Sequence, residues 1–290
     1  MIVNKIDISI IILNYQSYDR TISLVKRIIA QKSKFSFKIC IVDNASPNNS
    51  YERLTKSFGL NSQIELLKSD INGGYAKGNN IGLRYMKKFN PSFALVINND
   101  IDFELEVLEK CVNAIIQNKN VGIVSPIQIL PNGNKAPIKT LKIPEFSDDI
   151  KLYLGPLSFE KKIRYTPNVE HKELMEVGWI PGSFMFFDYE RLEELDFFDE
   201  CTFLFCEEQF LARKTFRAGL KNYILTDCNY IHEHSATIKS FHNIRSQYKL
   251  LLDSQIKYAK KYYSFSNIKI PIIKVFNTFY RNILALYRHF

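Results

Sequence analysis

Apolar residues recur along the first half of the chain in two alternating rhythms. Short continuous runs rich in β-branched residues occur at Ile8–Leu13, Lys38–Val42, Ile64–Leu67, Phe93–Ile97 and Val121–Ser125. Such runs predict strands buried on both sides. Between them lie longer stretches with one apolar face, as at Ile22, Val25 and Ile28/Ile29, where a spacing of three and four predicts amphipathic helices. Helices are expected over Thr21–Ala30, Ser50–Ser57, Tyr75–Lys88 and Glu104–Gln117. Strands regularly separated by helices imply an α/β fold, a mostly parallel sheet flanked by helices. Ligands of such sheets sit outside the carboxyl ends of the strands. The polar clusters Asn14-Tyr15, Asp43-Asn44 and Asn98-Asn99-Asp100 fall at those ends.

The pattern fades from Pro131 to Met175, which reads as an irregular insertion or an acceptor-side flap. Order returns at Val177–Phe187. A helix is expected over Glu207–Ala218, stopped by Gly219, then two short strands, Asn222–Leu225 and Cys228–Ile231. Helical spacing resumes at Phe241–Tyr263. A break is expected at Asn267–Pro271, followed by a second helix, Ile272–Phe290. That helix places Ile272, Ile273, Phe276, Phe279, Tyr280, Ile283, Leu284, Tyr287 and Phe290 on an aromatic face, with Lys274, Arg281 and Arg288 mostly opposite. Two regions are expected: a catalytic domain over residues 1–238 and a basic amphipathic helical extension over 239–290.

Charge sharpens that division. The chain has 290 residues and a net charge of +9. From Lys239 onward there are ten Lys and Arg against one acid, Asp253, and the preceding 238 residues balance at 29 of each sign. Proteins that track nucleic-acid phosphates spread a basic groove over the fold, so a neutral main domain argues against a nucleic-acid binder. An aromatic, basic helix instead suits an anionic membrane surface; a domain cap or homo-oligomer contact is the alternative. The five cysteines form no C-x-x-C pair, which fits a reducing cytoplasmic setting. No secretory leader and no membrane-spanning run are expected.

Four polar constellations carry candidate chemistry. Asn98-Asn99-Asp100-Ile101-Asp102 follows a strand directly and could hold Mg²⁺ or Mn²⁺ through carboxylate oxygens; the plainer reading is a polar turn with a helix cap. Glu207-Glu208 opens a helix after an apolar segment. Acids favour helix starts electrostatically, but a carboxylate there could also serve as a general base. Asp70-Ile71-Asn72-Gly73-Gly74-Tyr75-Ala76-Lys77-Gly78-Asn79-Asn80 could cradle a phosphorylated ligand at a helix start, or be an ordinary loop. His232-Glu233-His234 offers late metal ligands, although such a histidine is more often a structural hydrogen-bonder.

Taken in order, these pieces resemble the family 2 glycosyltransferases of the GT-A fold, particularly bacterial rhamnosyltransferase-like members that build surface polysaccharides. The matching stretches are Ile10–Tyr15, Ile41–Ser46, Asn72–Gly82, Asn98–Asp100, Pro181–Met185, Phe197–Glu200, Phe205–Glu208 and His232, spanning roughly residues 8–238. The tail carries no family motif.

The resemblance implies a metal-assisted, inverting transfer from a nucleotide-diphosphate sugar of UDP or dTDP type to a saccharide or lipid-linked acceptor. This would take place at the cytoplasmic face of a membrane, in capsule or lipopolysaccharide synthesis. By position it implies that Asn14, Tyr15, Asp43 and Asn44 line the base pocket. Asn72, Gly74, Ala76, Lys77 and Asn80 would hold base, ribose and sugar, with Asn98 and Asn99 near ribose or diphosphate. Asp100 would be the principal metal ligand and His232 the late one, with Asp102 and His234 as further candidates. Glu208 would be the base and Glu207 its partner at the donor or acceptor. Trp179 and Gly182 would face the acceptor. This chain departs from the family in having Glu208 where Asp is usual and Phe210 where a further acid is often found. A metal-dependent sugar nucleotidyltransferase is the rival chemistry. It would need a Gly- and Lys/Arg-rich triphosphate loop after the first strand, and Asn14-Tyr15-Gln16-Ser17-Tyr18-Asp19 is not one.

Overall fold

A computed structural model describes residues 5–136, 138, 142–154, 173–233 and 244–286. His234 and, within Pro131–Met175, residues 137, 139–141 and 155–172 lie outside the described residues. The elements are, in chain order, β1 (Ile8–Asn14), α1 (Tyr18–Ala30), β2 (Phe37–Asp43), α2 (Ser50–Phe58), β3 (Ile64–Lys68), α3 (Gly74–Met86), β4 (Phe93–Ile97), β5 (Ile101–Asp102) and α4 (Glu106–Gln117). There follow β6 (Val121–Ile129), α5 (Phe146–Leu154), β7 (Leu174–Val177), β8 (Phe184–Asp188), α6 (Tyr189–Glu194), α7 (Glu207–Arg217), β9 (Lys221–His232), α8 (Ile244–Tyr262) and α9 (Ser266–Leu286).

The nine strands form one sheet in the order β3-β2-β1-β4-β8-β6-β9-β5, with β7 also on β9. Strands β1 to β4 run parallel, as do β6 and β9, while β8 enters antiparallel between β4 and β6. Both faces of the sheet are covered, which is why the early strands are continuous apolar runs. Ile8, Ile10 and Ile12 pack with Leu24, Ile28, Leu54 and Leu108 on one side. Ile11, Cys40 and Val42 pack with Leu83, Met86 and Phe187 on the other.

Two expectations need correction. The strands expected at Asn222–Leu225 and Cys228–Ile231 are one strand, β9. Its pairing with β6 jumps from Leu225 opposite Pro126 to Asn229 opposite Ile127. Thr226, Asp227 and Cys228 bulge out at the jump, which reads in sequence as an interruption. In the tail, the break falls at Phe265, whose φ is +56°, and not at Asn267–Pro271. Pro271 lies inside α9, early enough that the helix continues past it.

The C-terminal helices pack onto the rest of the fold. Tyr258, Ala259, Tyr263 and Ile273 form a buried cluster with Cys206 and Phe210 of the α7 region, and Phe146 and Ile150 of α5 pack against it. Phe210 therefore packs against the C-terminal helix pair. Among the described residues, no helix is long and apolar enough to cross a membrane.

Candidate active site

The carboxyl ends of β1, β2 and β4 lie side by side, with Asn14 opposite Asp43 and Ile12 opposite Ile97. The turn after β4 carries Asp100 into β5, which pairs with the far end of β9, Ile101 opposite His232. The backbone N–H of Glu233 donates to the Asp100 carbonyl at 2.9 Å. This ladder sets His232 Nε2 3.1 Å from Asp100 Oδ1, both residues being buried. Gln128 Nε2 lies 3.4 Å from the other ring nitrogen, Nδ1, so both ring nitrogens have oriented neighbours. Arg20 of α1 approaches the other carboxylate oxygen at 3.9 Å. Burial opposes ionisation of Asp100, but the hydrogen bond and charge of His232 and the charge of Arg20 outweigh it and hold the carboxyl below its usual range.

These residues fit a divalent ion of the Mg²⁺ or Mn²⁺ type. One carboxylate and one imidazole are a small donor set, and among the described residues no three or more His, Cys, Asp or Glu gather to hold an ion. Ions of this kind take few protein ligands and complete their shell from phosphate and water. Arg20 Nη1 is buried without a hydrogen-bond partner, an unspent donor beside the same carboxylate. Asp102 is drawn elsewhere, its Oδ1 3.0 Å from Arg27 Nε.

The second centre is the start of α7. Phe205 and Cys206 precede it with φ of +73° and +66°, a left-handed conformation that costs each L-residue about 1–3 kcal/mol and that surrounding contacts must hold. Two backbone carbonyls pin the segment, that of Leu204 accepting from Ser254 Oγ and that of Phe203 from the Tyr75 N–H. Glu208 Oε1 accepts the N–H of Gly182 at 3.2 Å, and the Tyr75 hydroxyl donates to the Gly182 carbonyl at 2.5 Å. Glu207 is only 4% exposed, and its Oε2 has no partner. Burial pushes both acids above the usual carboxylate range. Glu207 is raised further by the neighbouring charge, while backbone N–H groups restrain Glu208. Both carboxyls of the pair therefore hold a proton more readily than an exposed acid does.

Gly182 and Ser183 connect the two centres. The Ser183 carbonyl accepts the Asn98 N–H at 3.1 Å, and its hydroxyl lies 2.6 Å from that of Tyr230, two residues before His232. Asp100, His232 and Glu208 thus border one hydrogen-bonded stretch of backbone.

Many of the expected donor-binding residues bind one another. Asn14 Nδ2 donates to Asp43 Oδ1 at 2.7 Å, and Thr21 donates to Asn14 Oδ1 at 2.8 Å. Asn99 Nδ2 donates to Ser17 and Thr21. Asp43 also accepts from the N–H and hydroxyl of Ser46. Asn14 and Asp43 are fully buried in this network, and Tyr15 and Asn98 are half-buried beside it. Asn44 donates to Asn72 Oδ1 and to the Gly74 carbonyl and accepts from the Gly73 N–H, closing the glycine loop onto β2. Gly74 has φ of +84°, and a Cβ there would meet the Phe203 carbonyl oxygen at 1.9 Å. Its close approach is therefore to the segment before α7. Asn80 bonds to both backbone groups of Phe198 and to Glu200. Ala76 is buried, Lys77 half-buried and folded over Gly73, and Trp179 half-buried beside Pro181-Gly182.

Arg20, Tyr75, Gln128, Ser183 and Tyr230 were not singled out from sequence. Tyr75 lies inside the glycine motif. Ser17 and Thr21, four apart at the start of α1, share one helix face; these were the available signals.

This frame matches the model of glycosyl transferase family 2 over residues 9–193. The chain belongs to that family and has the GT-A fold. It is 28% identical over 226 residues to the low-salt glycan biosynthesis hexosyltransferase Agl10 of Haloferax volcanii, covering 78% of this chain and 66% of that relative, just under two thirds. Among solved structures it is similar in fold to GalNAc-T7 with UDP, GalNAc and Mn²⁺, with a TM-score of 0.66 and 12% identity over 91% of this chain and 49% of that one. It is also similar to the mannosyltransferase PcManGT of Pyrobaculum calidifontis with GDP-Man and Mn²⁺, with a TM-score of 0.59 and 13% identity over 98% of this chain and 80% of that one.

Proposed function

We propose that the protein transfers a hexosyl or rhamnosyl-type group, with inversion, from a UDP- or dTDP-sugar to a hydroxyl of a saccharide or lipid-linked saccharide. The pathway would be surface-polysaccharide synthesis, of capsule or lipopolysaccharide, and the location the cytoplasmic face of a membrane. The observation that carries the reading is the Asp100–His232 contact at the strand ends, linked through Gly182-Ser183 to the Glu207-Glu208 pair. The hexosyltransferase relative and the neighbours bound to UDP or GDP-Man support the donor class. Ten basic residues against one acid from Lys239 onward support the membrane location.

A divalent ion held by Asp100 and His232 would neutralise charge on the departing diphosphate. Arg20, whose Nη1 makes no hydrogen bond, would add a donor to the same oxygens. Glu208 would take the acceptor hydroxyl's proton as that oxygen bonds to the anomeric carbon. The bond from that carbon to the diphosphate oxygen breaks in the same step, and its electron pair leaves with the nucleotide. Glu207, whose buried Oε2 has no hydrogen-bond partner, would meet a sugar hydroxyl.

Glu208→Gln keeps the shape and removes the base. Transfer is expected to fall by about 10²- to 10⁴-fold while nucleotide-sugar binding, followed by calorimetry with Mn²⁺, stays within a few-fold of wild type. Turnover close to wild type in that variant would sink the assignment. A panel of UDP- and dTDP-sugars, read by donor hydrolysis with Mn²⁺ or Mg²⁺, identifies the donor.

A further inference from the structure

The sequence pattern leads one to expect a single aromatic face on the last helix, but the structure divides that face in two. Ile273 and Asn277 are buried, with Ile270, Phe276 and Tyr280 packed toward the same cluster against α8 and α5. The opposite side is apolar as well. Phe265 is 74% exposed, Ile268 60%, Ile272 37%, Val275 67% and Phe279 49%. Their spacing of three, four, three and four lines them up along one side of α9 and the turn before it. A helix that already buries one face in its own domain ordinarily presents polar residues outward. Here the exposed polar residues Asn267, Lys274 and Thr278 fill the arc between the two apolar faces, and Asn282 ends the outer one.

Two occupants suit such a stripe: the matching stripe of a second copy, or a lipid surface. Charge separates them. Two tails, each with ten basic residues and one acid, repel when laid side by side, whereas anionic headgroups attract that net positive charge. The described part of α9 has no acid, and Lys274 is exposed in the arc between the faces, from which a long basic side chain reaches toward headgroups above a shallowly buried helix.

We propose that Phe265, Ile268, Ile272, Val275 and Phe279 form a docking surface for an anionic bilayer, with α9 lying in the plane of the headgroups. This names the partner surface for the membrane location proposed above and rests on that location, but not on which sugar is transferred. Because the other face of α9 is packed with α8 and α5, docking would hold the whole catalytic domain at a fixed distance from the lipid.

The test uses the full chain and the double variant Val275→Asp/Phe279→Asp, which alters only exposed positions. Each is sedimented with vesicles of phosphatidylcholine alone and of phosphatidylcholine with phosphatidylglycerol. Wild type is expected to bind the phosphatidylglycerol vesicles at least about tenfold more tightly than the neutral ones. The variant should lose about tenfold or more of that binding with an unchanged melting temperature. If wild type binds anionic vesicles and the variant binds equally well, the stripe is not the surface, though the membrane location stands. If wild type binds neither kind, both ideas fail. If sedimentation velocity shows a wild-type dimer that the variant splits, the stripe is a seam between copies and the proposal is overturned.

Discussion

Gly74 carries more of the site than its size suggests. It combines a left-handed φ with a backbone contact that leaves no room for a Cβ. Gly74→Ala is expected to destabilise the protein by about 3 kcal/mol, combining the cost of the left-handed conformation with displacement of the Phe203 segment. Thermal melting measures the loss. A melting temperature equal to wild type would show that the loop and the segment before α7 are not locked together. Residue type alone singled out Asp100, His232, Glu207 and Glu208 as candidates for such a reaction, and the structure brings Asp100 and His232 into contact. What sequence could not show is where an amide points. Asn44 and Asn80 have the same donors and acceptors whether they meet a ribose or a loop, and their observed partners are 28 and 118 residues away.

At the scale of elements, the assembly of α5, α8 and α9 turns on Asp149. Its carboxylate accepts from Gln255 at 2.8 Å and Tyr263 at 2.7 Å, yet burial dominates and raises its pKa to about 6. The folded protein therefore holds this proton more tightly than the unfolded chain. The stabilising contribution is complete below the ordinary aspartate value of 3.8 and is lost as pH rises through about 6. Its size is on the order of 3 kcal/mol. Melting temperature should accordingly decline across that window in wild type, and the decline should shrink in Asp149→Asn. Parallel profiles for the two proteins would show that this carboxyl does not set the trend. Asp149 escaped notice in sequence because it lies within the weakly patterned stretch after Pro131, where no periodicity marks an inward face. The regular elements were legible for the converse reason. Runs such as Ile8–Leu13 leave few alternatives, whereas a bulge such as Thr226-Asp227-Cys228 resembles a turn until its partner strand is known.

For the molecule as a whole, the division at residue 238 concerns charge more than packing. The tail is basic where the rest is neutral, but Tyr258, Tyr263 and Ile273 bury themselves against the α7 region that carries both acids. A chain ending at residue 238 would uncover Phe210 and Cys206 and lose the Ser254 bond to Leu204. Removing these apolar contacts costs on the order of 5 kcal/mol, so the shortened protein is expected to melt at least about 10 °C lower and to lose transfer even to a soluble acceptor. Wild-type melting and turnover after truncation would mark the tail as a separate appendage.

The antiparallel placement of β8 has a consequence for biosynthesis. β4 leaves the ribosome well before Phe184–Asp188, the segment that will cover its open edge. With about ninety residues between them and translation at about 5–20 residues per second, the gap lasts roughly 5 to 20 seconds. Throughout that interval the nascent chain displays an uncapped hydrogen-bonding edge along Phe93–Ile97, which makes mid-translation the moment when this polypeptide most needs a holding chaperone.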